Sequence, residues 1–107
     1  MKIGIIGYGV VGKAIDYTLS EKYEIIKYDK YMELDDFIKF NEADMVFIMV
    51  PTPFDSIKQS SDDSAVIESL EKLQKIGFSP DKPVIIKSTV TPGSCKEYSS
   101  NFNLEIV

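Results

Sequence analysis

Histidine is absent from this chain of 107 residues, and cysteine occurs once. Without an imidazole, neither a histidine metal site nor a Ser–His or Cys–His catalytic pair is available within the sequence, and no metal site is expected. The one cysteine, Cys95, excludes an intramolecular disulfide and fits a reducing, cytoplasmic compartment. With no histidine to activate it, Cys95 reads as a small buried apolar residue rather than a nucleophile. Basic residues are also scarce. Twelve Lys and Arg stand against 17 Asp and Glu, a net charge of -5, so no electropositive face for nucleic acid is expected. No apolar run approaches the ~20 residues that span a bilayer, so no membrane segment is expected. The apolar start, Ile3 to Val11, is broken by three glycines and lacks a small-residue cleavage site, which makes it a poor signal peptide. Internal repeats, low-complexity tracts and interdomain linkers are missing too. What remains is one domain over residues 1–107, 44% hydrophobic and 27% charged, as soluble globular proteins are.

The most informative feature present is a strand that runs into a glycine turn. Lys2 to Ile6 reads as a short buried strand, Gly7-Tyr8-Gly9-Val10-Val11-Gly12 follows, and a helix continues from about Val11 to Ser20. This is G-x-G-x-x-G between strand and helix, where the pattern has physical meaning. Gly7 permits the tight turn, Gly9 leaves room for a pyrophosphate at the backbone, and Gly12 lets helix and strand pack closely. The phosphates would face unpaired N–H groups at the positive end of the helix, so an acidic protein can still hold an anionic cofactor.

Further strands are expected at Tyr23–Tyr28, Asp44–Val50, Pro83–Ser88 and Leu104–Val107. Helices are expected at Leu34–Asn41, from a cap at Asp62 or Asp63 to about Ile76 with Gly77 ending it, and at Cys95–Ser100; residues Phe54 to Ser61 read as a polar loop. The nearly unbroken apolar run after Asp44 is that of a strand covered on both faces. This alternation predicts an α/β, Rossmann-like, doubly wound parallel sheet of five strands in the order 2-1-3-4-5, with helices on both faces. Ligands bind such sheets at the carboxyl ends of the strands, where the order reverses. Gly7, Asp29, Pro51 and Ser88 fall at such ends. The chain stops in or just after an apolar strand, so an excised part of a longer protein is expected.

Asp29 closes the second strand, 17 residues after Gly12 and 22 after Gly7. A ribose-binding acid lies about 20 residues beyond the motif, and its carboxylate favours NAD over NADP by repelling a 2′-phosphate. Neighbouring Lys30 complicates that choice, and the alternative to a ribose-binding acid is a solvated turn aspartate. Pro51-Thr52-Pro53 is either a rigid strand exit or a cofactor contact through Thr52. Ser88 and Thr89 end the fourth strand, within reach of a nicotinamide or a water, or as ordinary strand-end residues.

Four motifs in order resemble the UDP-glucose/GDP-mannose (nucleotide-sugar 6-) dehydrogenase family: KIGIIGYGVVG, Asp29, ADMVFIMVPTP and IIKSTVTPGS. The helix opening DDSAVIESL is also similar. The resemblance covers nearly the whole chain but only the family's NAD-binding half. It implies that Gly7, Tyr8, Gly9, Val10, Val11 and Gly12 hold the pyrophosphate, and that Asp29 and Lys30 lie at the adenosine ribose. It places Pro51, Thr52, Ser88 and Thr89 along the cofactor, with Thr89 ordering the water of the second half-reaction. Such enzymes oxidise a sugar C6 alcohol twice, to the carboxylate, with two NAD. A catalytic cysteine holds the intermediate as a thiohemiacetal and then a thioester. Here Val10 stands where the family usually has tyrosine, and the stretch from Asp29 to Ala43 is shorter than usual. The family's NPEF segment, catalytic lysine, nucleophilic cysteine and sugar-binding domain are missing. The resemblance therefore implies a fragment that binds NAD without turning over a nucleotide sugar, monomeric where its parent is dimeric. Two other readings stay open: a 3-hydroxyacid or 6-phosphogluconate type dehydrogenase, which uses a lysine base, and a nucleotide-sensing module without catalysis.

Overall fold

The computed structural model describes residues 1–30, 36–52, 54–57, 60–88 and 93–107. In chain order the elements are β1 (Lys2–Ile6), α1 (Val10–Leu19), β2 (Glu24–Tyr28), a 3-10 helix (Phe37–Glu42) and β3 (Met45–Ile48). There follow β4 (Phe54–Asp55), β5 (Ser60–Ser61), α2 (Ser64–Lys75), β6 (Pro83–Ile86), α3 (Ser94–Asn101) and β7 (Glu105–Ile106). Five strands form one parallel sheet in the order β2-β1-β3-β6-β7, the expected 2-1-3-4-5 when only sheet strands are counted. The strand order reverses between β1 and β3, the place where parallel α/β sheets bind ligands.

The core explains the order. β1 is buried at four of its five positions and sits between β2 and β3. Ile5, Ile6, Val46, Ile48 and Val84 make the sheet's interior, and Val66, Leu70 and Leu73 of α2 pack on it at helical spacing. Gly4 has a role that composition does not reveal. A Cβ on it would come within 2.5 Å of the Phe40 ring, so the bare backbone of β1 makes the slot that seats the 3-10 helix.

Three expectations change in detail. The second helical segment is a 3-10 helix from Phe37, one fully buried aromatic (Phe40) anchoring it, rather than an α-helix over 34–41; residues 34 and 35 of that expectation lie outside the described residues. The polar loop before α2 contains a short antiparallel hairpin, β4 against β5. The carboxylate that serves the start of α2 is Asp62, which accepts the Ser64 N–H at 3.0 Å. Asp63, at the N-cap position, makes no such bond and instead accepts the Tyr98 hydroxyl of α3.

Candidate functional site

The carboxyl ends of β1, β2, β3 and β6 converge on one open cavity of about 670 Å³. Gly7, Gly9, Val10, Val11, Asp29, Lys30, Pro51, Thr52 and Ser88 all line it, so nine of the expected residues meet in one place. Tyr8 and Gly12, also expected, do not line it. Thr89, and Pro53 of the Pro51-Thr52-Pro53 exit, lie outside the described residues.

The glycine turn is built by exclusion. Gly7 has φ +95°, and a Cβ there would sit 2.6 Å from the Met49 carbonyl oxygen, so β1 leaves its strand against the end of β3. A Cβ on Gly12 would collide with the Gly7 carbonyl, which lets α1 close on β1. A Cβ on Gly9 would have nothing within 4 Å. The middle glycine alone opens onto free space, and α1 starts immediately after it with Gly9 as N-cap. First-turn N–H groups have no partner inside a helix. An anionic diphosphate fits this cradle, which satisfies them against the helix dipole.

Asp29 ties the two halves together. Its Oδ2 accepts the Tyr8 N–H at 2.8 Å, and the Gly7 N–H donates to the Tyr28 carbonyl at 2.8 Å. The end of β2 thus holds the glycine turn by two bonds, with its carboxylate on the cavity side. Tyr8 contributes its backbone at this point, while its side chain folds away. The Tyr8 hydroxyl donates to Asp16 of α1, Lys27 Nζ donates to the same Asp16 oxygen at 2.9 Å, and Lys27 lies 5.0 Å from the Tyr8 ring centroid. Burial works against the charge of Asp16, but the Tyr8 hydroxyl and Lys27 outweigh it and hold the carboxyl below its ordinary value. The same bond to Asp16 raises the Lys27 amine and, with burial, the Tyr8 phenol.

On the other side, Ser88 donates to the Val50 carbonyl at 2.7 Å. Its hydroxyl proton is committed, so toward a ligand Ser88 acts as an acceptor. Thr52 is half-buried beside it. Cys95 is half-buried in α3 rather than in the core and does not line the cavity.

The sequence reading missed one whole wall. Asp62 and, from α2, Ser64, Ala65, Glu68, Ser69 and Lys72 reach the cavity, and Lys87 joins just past the end of β6. Ser64, Glu68 and Lys72 recur at i, i+4 and i+8, a polar stripe opposite Val66, Leu70 and Leu73. That stripe was the available signal. Lys72 donates to the Tyr28 hydroxyl at 2.7 Å and lies over the Tyr28 ring. Among the described residues no three His, Cys, Asp or Glu side chains group to hold a metal, and no helix is long and apolar enough to cross a membrane.

Residues 24–104 match the UDP-glucose/GDP-mannose dehydrogenase family, NAD binding domain. No curated protein sequence matches the chain. Among solved structures, a UDP-D-ManNAc dehydrogenase from Pyrococcus horikoshii is similar with a TM-score of 0.83 at 18% identity, over 94% of this chain and 31% of that one. A UDP-N-acetyl-mannosamine dehydrogenase from Staphylococcus aureus gives 0.76 at 17%, over 94% and 32%. An NDP-N-acetyl-D-galactosaminuronic acid dehydrogenase from Methanosarcina mazei Go1 gives 0.75 at 20%, over 97% and 32%. The chain thus spans about a third of the length of the structures it matches.

Proposed function

Because this chain belongs to the UDP-glucose/GDP-mannose dehydrogenase family, as an NAD-binding domain, we propose that it supplies the cofactor site of a nucleotide-sugar 6-dehydrogenase. The reaction is the two-step oxidation of a sugar C6 alcohol to the carboxylate. The observation that carries this reading is Asp29, which shares one cavity wall with the open glycine turn and is hydrogen-bonded to it.

NAD, when bound, supplies the hydride acceptor. The residues of this chain bind and orient it. The backbone from Gly7 to Gly12 and the start of α1 take the diphosphate, Asp29 takes ribose hydroxyls, and Thr52 and Ser88 line the nicotinamide side. Thr89 is assigned the ordering of the water for the second half-reaction. Nothing in these 107 residues matches the family's nucleophilic cysteine, catalytic lysine or sugar site. We therefore assign those to the rest of a longer, dimeric cytoplasmic enzyme, with the isolated chain monomeric and inactive on nucleotide sugars.

Calorimetric titration with NAD tests the site. We expect saturable binding that Asp29→Ala weakens by about 1–3 kcal/mol, and no NADH from the chain mixed with NAD and a nucleotide sugar. Equal NAD affinity in the variant would remove Asp29 from the site.

A further inference from the structure

The carboxyl end of β2 carries an ambivalent pair. Asp29 repels a ribose 2′-phosphate, while Lys30, next in the chain, attracts one. α2 brings a second such pair, Glu68 and Lys72, to the same cavity wall. Lys30 Nζ lies 3.6 Å from Glu68 Oε2, and Lys72 Nζ lies 3.7 Å from Glu68 Oε1. One carboxylate therefore engages two cations, one with each oxygen. Lys72 is held further by the hydroxyl of Tyr28, the residue before Asp29.

We infer that Glu68 is a specificity-determining residue, which secures the preference for NAD over NADP by occupying the two lysines that would otherwise receive a 2′-phosphate. The inference rests on the NAD-site reading above. The side chains of Lys30, Glu68 and Lys72 are 59%, 43% and 37% exposed, so these pairs contribute little to folding stability. Their consequence is the charge the cavity presents. Asp29, Lys30, Glu68 and Lys72 sum formally to zero. A neutral 2′-hydroxyl leaves both pairs intact. A 2′-phosphate meets two carboxylates and has to share the lysines with Glu68, whose negative charge offsets much of their attraction. Discrimination then lies in a penalty against the wrong ligand as well as in the contact Asp29 offers the right one. With Glu68 uncharged, the same wall carries a net positive charge, and Lys30 and Lys72 no longer have that carboxylate beside them.

The test is calorimetric titration of the full 107-residue chain with NAD and with NADP. It compares wild type, Glu68→Gln, and Glu68→Gln combined with Lys72→Gln. Wild type should prefer NAD. Glu68→Gln should narrow the ratio of the two Kd values about tenfold, and the added Lys72→Gln should restore part of the preference. Glu68→Ala provides a second removal of the charge, with the same expected direction. NAD binding with a ratio that neither Glu68 variant moves overturns this inference and leaves the NAD site standing. A wild-type chain that binds neither nucleotide overturns the site reading and this inference with it.

Discussion

Gly7 and Gly9 belong to one turn, yet they answer to different demands. Gly7 combines a positive φ with a carbonyl 2.6 Å from where a Cβ would stand, so Gly7→Ala strains the fold itself. Denaturant unfolding should show a loss of about 1–3 kcal/mol. Gly9 faces open space, so Gly9→Ala should leave stability within about 0.5 kcal/mol while weakening NAD in titration. A Gly9 variant that unfolds easily but binds normally would invert this assignment. Asp29, which we propose as the ribose acceptor, also accepts the Tyr8 N–H through its carboxylate. Alanine there removes a ribose acceptor and releases the turn together. Asparagine keeps an acceptor for Tyr8 and changes mainly the charge. Motif spacing announces all three glycines and Asp29, although only Gly7 and Gly12 are demanded by close backbone contacts. Nothing local announces that the Tyr8 side chain turns away from the ligand, because Asp16 and Lys27 reach it from other elements.

At the scale of elements, α1 and β2 are joined through Asp16, 8% exposed, with Tyr8 and Lys27 on one of its oxygens. Its carboxyl lies below the ordinary value of 3.8 in the folded chain. A lowered carboxyl stabilises the fold at all pH above the unfolded value, and that stabilisation is lost as pH falls through the folded one. Asp16→Asn should therefore be about 1–3 kcal/mol less stable at pH 7. The gap should persist to about pH 4 and close in stronger acid. Urea unfolding at neutral and acid pH measures it, and a gap of undiminished size in strong acid would refute the account. Lys27 acts at the other end of the scale. Its raised amine contributes below the ordinary value of 10.5, and the contribution fades as pH rises past its folded value. Strands were legible here because apolar runs end at Asp29, Pro51 and Ser88. The 3-10 helix was not, since its form depends on Phe40 entering a slot made by Gly4, 36 residues earlier in the chain. The α2 wall was legible only as a polar stripe, because a crossover between β3 and β6 decides what that helix overlooks.

For the molecule as a whole, cofactor binding and folding are one equilibrium. A ligand that binds only the native state stabilises it by about 2.7 kcal/mol at 100 times its Kd. For a domain of this size that raises Tm on the order of 10 °C. Thermal melts with increasing NAD should show the rise, and a Tm indifferent to NAD would contradict a site built from β1, β2, β3 and β6 together. The net charge of -5 does not oppose this, since the cradle we propose for the diphosphate is backbone and helix terminus rather than lysine. The bond between the Tyr8 N–H and Asp29 has a kinetic meaning as well. The turn is already anchored before any nucleotide arrives, so little ordering entropy is left to lose on contact. Association then proceeds as a diffusional encounter with a finished surface, and the lifetime of the complex, rather than its rate of formation, carries the differences in affinity.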